Sequence, residues 1–86
     1  MSTEEQIANE MDRLKAFFIE KNISYGDSLQ NPVRVFSKDP LEGMLARVDD
    51  KLSRIKSVGI NEDTLDTVED IIGYLVHIII KLNKKA

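Results

Sequence analysis

At 86 residues, with no cysteine and a formal net charge of −3, the chain has room for one domain and no disulfide to brace it. A chain this short buries only roughly 60% of the surface its unfolded form exposes, so some other support for the core is expected, and a partner subunit is the leading one. The acidic balance argues against general binding to DNA or to a membrane surface, and the absence of cysteine fits a reducing compartment.

The charge is unevenly spread. Residues 1–22 carry five acids against three bases, and residues 57–86 repeat that ratio. Residues 34–56 reverse it, with six bases against four acids. Met1–Glu10 is polar and lacks the features of a signal peptide. The most apolar stretch, Ile71–Leu82, falls well short of the ~20 residues that span a bilayer. A soluble, intracellular protein is expected, without a membrane partner.

In chain order, the first helix opens on a capping box formed by Ser2 and Glu5. Ile7, Met11, Leu14 and Phe18 then share one face, and Asn22 is a plausible stop, giving a helix over about 3–21. Residues 22–39 show no sustained period and are punctuated by Gly26 and Pro32, with one short turn expected over Pro32–Phe36. So long a connection is unusual in a small domain and is often functional. The second helix, about 40–57, starts at Asp39-Pro40 and ends at Gly59, with Leu41, Leu45, Val48, Leu52 and Ile55 on its apolar face. A third, about 62–83, is capped by Asn61 and carries Leu65, Val68, Ile72, Leu75, Ile79 and Leu82 at alternating spacings of three and four. The fold class is therefore all-α, three main helices in a single domain over 1–86.

From Ile71 to Leu82 the third helix is apolar on nearly every side, since Ile71, Val76, Ile78 and Ile80 join the heptad face. Such a helix must be covered all round, which two other helices do not easily achieve. A homo-oligomer that packs on the 71–82 region is expected.

Chemistry-bearing residues are few. The single histidine, His77, lies within apolar helix and reads as a hydrogen-bonded packing group, and the four glycines form no phosphate-binding loop. Arg47, Lys51 and Arg54 form a basic stripe on helix two, suited either to phosphate oxygens or to ion pairs with Asp66 and Asp70. Tyr25 and Phe36 could stack on a base or anchor packing. Glu62, Asp66, Glu69 and Asp70 share part of helix three; set near Asp49 or Asp50 they could hold Mg²⁺, although a solvated acidic face is the plainer reading.

The ordered motifs Tyr25-Gly26-Asp27-Ser28, Asn31-Pro32, Arg34-Val35-Phe36-Ser37, Arg47 to Arg54, Glu62 to Asp70 and Gly73-Tyr74 carry a resemblance. Over residues 22–80 the chain resembles small phage and prophage proteins of the nucleotide-modification-associated domain type. These look like distant relatives of MazG-type all-α NTP pyrophosphohydrolases. The resemblance implies a helical oligomer with a nucleotide ligand, and it adds Asp27, Asn31 and Arg34 to Tyr25, Phe36, Arg47, Lys51 and Arg54 as candidate ligand-binding residues. The enzymes place Glu-x-x-Glu on one helix and Glu-x-x-Asp on the next to bind Mg²⁺. Helix two here has no such pair and carries bases instead.

The preferred expectation is thus a protein that holds a nucleotide, possibly a cyclic signalling one, without turnover and without a cofactor. One alternative is a Mg²⁺-dependent pyrophosphohydrolase with metal at Asp50, Glu62, Asp66 and Asp70. The other is a structural or protein-interaction module.

Overall fold

The computed structural model of the chain describes residues 1–32 and 39–85. It is all-helical, with α1 (Thr3–Ser24), α2 (Pro40–Val58) and α3 (Leu65–Lys85), the last entered through a 3₁₀ turn, Glu62–Thr64. No strand occurs among the described residues. The short turn expected over Pro32–Phe36 falls largely outside them.

Local chemistry sets the helix ends. The Ser2 hydroxyl accepts the Glu5 N–H at 3.1 Å, and the Glu5 side chain turns back to the Ser2 N–H, closing the expected capping box. α1 runs two residues past Asn22, to Ser24, and is followed by Gly26 and Asp27, both with positive φ (63° and 60°). The Asp27 N–H reaches back to the Asn22 carbonyl at 3.0 Å, which satisfies a carbonyl the helix would otherwise leave open. At α2 the Asp39 carboxylate accepts the Leu41 N–H at 3.0 Å, with Pro40 in the first turn, where its missing N–H costs nothing. Gly59 ends α2 at φ 93°, a backbone setting that a side chain would strain.

The α2–α3 turn is the best-braced part of the chain. Thr64 is fully buried, and its hydroxyl donates to the Gly59 carbonyl at 2.8 Å while accepting the Asn61 N–H at 3.0 Å. Asn61 in turn accepts the Asp63 N–H at 2.8 Å. Beside it, Arg54 donates to the hydroxyl of buried Thr67 at 2.6 Å and to the Asp63 carbonyl at 3.2 Å. These bonds fold α2 and α3 into a hairpin, the closest helix pairing in the protein.

The turn also decides which face of α3 meets α2. Thr67 bonds to Arg54 of α2, so the half-buried Ile71, Tyr74 and Ile78, which share its face, turn inward. The heptad face lies to one side of it: Leu65, Leu75, Ile79 and Leu82 are exposed, while Val68 and Ile72 are half-buried. α1 crosses α3 where Gly73 lets it approach. A Cβ at Gly73 would stand 3.1 Å from Phe18 Cε1, closer than packed carbons normally sit. Only the second half of α1 makes this contact, and residues 1–13 are all exposed.

Leu14 and Met44 are the only fully buried apolar residues among those described, against three buried polar ones, Gln30, Thr64 and Thr67. The radius of gyration is 14.4 Å, where about 12 Å is usual for a compact chain of this length. Because Thr64 holds two backbone groups in the dry turn, Thr64→Val should cost about 1–3 kcal/mol. Urea unfolding checks this, with Thr64→Ser expected to keep most of the stability.

Candidate functional site

A cleft of about 430 Å³ opens where α1, the residue 25–32 turn, α2 and α3 converge. That volume lies within the usual range of small-molecule sites, about 300–1,000 Å³. α1 supplies Phe18, Lys21 and Asn22, and the turn supplies Tyr25, Ser28 and Leu29. Arg47 and Lys51 come from α2, and Asp70, Gly73, Tyr74 and His77 from α3.

Asp70 organises the cleft. Its two carboxylate oxygens are held separately, one by Lys21 Nζ at 2.9 Å and the other by Lys51 Nζ at 3.1 Å. Burial raises the Asp70 pKa, but the hydrogen bonds and charges of the two lysines outweigh it and leave the carboxyl below its ordinary value. Lys21 is pushed up, chiefly by its hydrogen bond to Asp70. Its ammonium also lies 5.0 Å from the centre of the Phe17 ring, a cation–π distance. Arg47, by contrast, is exposed at the cleft and makes no ion pair among the described residues. Three cations thus face the cleft against one carboxylate, a lining that favours an anion.

The turn that forms one wall is fixed from both sides. Asp27 accepts from Asn22 Nδ2 at 3.1 Å and from Asn31 Nδ2 at 2.6 Å. Those bonds, the Asn22 one foremost, hold its carboxyl below the usual range. Gln30, buried, donates from Nε2 to the His77 carbonyl at 3.0 Å and to His77 Nδ1 at 3.0 Å. Lys81 Nζ donates to the Gln30 carbonyl at 3.2 Å. Burial lowers the His77 pKa, so the ring is neutral at pH 7, and with Nδ1 accepting from Gln30 its proton sits on Nε2.

Of the ligand-binding residues expected from sequence, Tyr25, Arg47 and Lys51 come together at this cleft. Asp27 and Asn31 bond to one another and shape the wall beside it. Arg54 is elsewhere, bracing the hairpin turn through Thr67, Asp63 and Asp66. Arg34 and Phe36 lie outside the described residues. The four candidate metal ligands are not brought together. Asp70 is taken by the lysines, Asp66 pairs with Arg54 at 3.3 Å, and Asp50 and Glu62 are exposed. Among the described residues no group of three or more acids or histidines is placed to hold a metal ion, so this donor set does not fit the Mg²⁺ site of the hydrolase reading.

Lys21, Asn22, Tyr74 and the neutral His77 are cleft residues that sequence reasoning missed. A signal for part of this set exists: Asp70, Gly73, Tyr74 and His77 lie three, four and seven residues apart, a single stripe of uncharacteristic residues in an otherwise apolar helix.

Asp70 yields a pH test. Its folded pKa lies below the ordinary 3.8, so its contribution to stability is complete above that value and is lost as the pH falls through the folded pKa. Urea midpoints taken from pH 7 down to pH 3 should fall more steeply for the wild type than for Asp70→Asn. Parallel curves would mean that the two lysines do not depress this carboxyl.

No family model, curated protein or solved structure matches the chain.

Proposed function

We propose that the chain holds a nucleotide in this cleft without converting it. The observation that carries the reading is the excess of cation, Lys21, Arg47 and Lys51 around the single carboxylate of Asp70, beside the rings of Tyr25 and Tyr74. Phosphate oxygens would be met by Arg47, whose fork of donors pairs with no carboxylate among the described residues, and by Lys51 and Lys21 as point charges. A base would find an aromatic face in Tyr25, 62% exposed at the rim. The resemblance to phage and prophage proteins supports the same ligand class and would make the protein a sequestering one, working in the cytoplasm of a bacterial host.

Asp70 has a specific part in this reading. Its carboxylate occupies the cations that a phosphate would need, so an incoming anion competes with it for Lys21 and Lys51. Binding then exchanges one ion pair for another and needs no metal. The same residue separates this reading from hydrolysis, in which Asp70 would be a metal ligand and its loss would abolish activity.

The purified protein should be incubated with linear and cyclic nucleotides, with and without Mg²⁺, and the ligand identified by chromatography after denaturation. Intact nucleotide is expected in both conditions, and a shortened product would overturn the proposal. By calorimetry, Arg47→Ala and Lys51→Ala should each weaken binding about tenfold or more, as for the loss of a charge-assisted hydrogen bond. Asp70→Asn should tighten it several-fold. A weaker-binding Asp70→Asn would place Asp70 among the ligand's contacts or a metal's.

A further inference from the structure

The side of the hairpin away from the cleft is apolar along its whole length. α2 presents Leu41, Leu45, Val48 and Leu52 there, at spacings of four, three and four. α3 presents Leu65, Val68, Ile72, Leu75, Ile79 and Leu82, alternating three and four. The two helices are antiparallel and each stripe is displaced in the same sense from its own packing face, so both stripes lie on one side of the hairpin. No charged residue interrupts either. Leu45, Leu52, Leu65, Leu75, Ile79 and Leu82 remain 46–58% exposed, while α1 packs across the opposite side, at Gly73.

We infer that this face is covered by a second copy of the chain, the two hairpins closing into a four-helix bundle. Two observations select that occupant. The accessible surface is 6605 Å², whereas a compact monomer of this 9.8 kDa mass would show about 5,200 Å². The excess exceeds the ~800 Å² that each partner of a stable dimer typically buries. The α3 stripe has the 3,4 alternation of a helical seam, which packs against its own kind by interdigitation. Pairing would also give the chain the core it lacks, since only Leu14 and Met44 are fully buried apolar residues among those described.

The pair relates to the cleft by position alone. Every residue named at the cleft faces away from the seam or flanks it, so the inference stands whether or not a nucleotide binds.

Sedimentation equilibrium of the full chain at micromolar concentration should give the mass of two chains, and the thermal midpoint should rise with concentration, as folding coupled to association requires. Leu75→Glu and Ile79→Glu place a charge on a face that a monomer would leave in water. Each should dissociate the dimer and lower the midpoint by many degrees. Ile23→Glu, at another exposed apolar position, should leave the mass unchanged. Should the glutamate variants fail to fold, the concentration dependence of the wild type still decides. A single-chain mass with a concentration-independent midpoint would overturn the proposal and leave a different protein as the occupant. So would an assembly whose mass survives Leu75→Glu.

Discussion

The carboxylate of Asp70 ties the three helices to one point. It stands on α3 and is gripped by Lys21 from α1 and Lys51 from α2, so each helix enters through one of three charged side chains. In a chain with two fully buried apolar residues among those described, packing does little to set how the helices lie. Directional charge shares that task with the hydrogen bonds of Thr64 and Arg54. The arrangement is conditional on Gly73, one turn along, whose missing side chain lets Phe18 and the rest of α1 come close enough for Lys21 to reach. It also has a cost: a partly buried carboxylate is stable only while both cations stay.

Much of the fold was legible because its signals are local. The capping box of Ser2 and Glu5, the Asp39-Pro40 start and the Asn61 cap each act within four residues, and all three form as their chemistry dictates. Orientation was not legible. Periodicity tells which residues share a face of α3, and α3 carries two apolar faces, Leu65-Val68-Ile72-Leu75-Ile79 and Ile71-Tyr74-Ile78. The choice between them is made by Thr64 and Arg54, whose hydrogen bonds set the hairpin turn. Arg54 was read with Arg47 and Lys51 as one basic stripe for the same reason. The spacing is right, but Arg54 lies level with Thr67 and Asp66 near the turn, beyond the reach of the cleft.

The cleft shows how long-range placement changes the meaning of a residue. Asp70 as a sequence letter belongs to an acidic run that suggests metal. Held by two lysines it is instead the counter-charge of a cationic pocket, and Asp66 and Glu69 are drawn off by Arg54 and Arg13. Tyr25, Arg47 and Lys51 were legible as candidates for one site and do line one cleft, whereas Lys21 was not, since nothing local distinguishes it from any lysine in the last turn of a helix.

The Gln30–His77 pair has a consequence for the wall of the cleft. The Gln30 amide spends both hydrogens of its nitrogen on His77 and leaves its buried oxygen without a hydrogen-bond partner among the described residues. That bonding is self-consistent only while Nδ1 is bare. A proton on Nδ1 would set donor against donor, so the contact holds the ring in the tautomer protonated at Nε2. One amide nitrogen therefore fastens the turn to α3 and fixes the ring's position and its tautomer together.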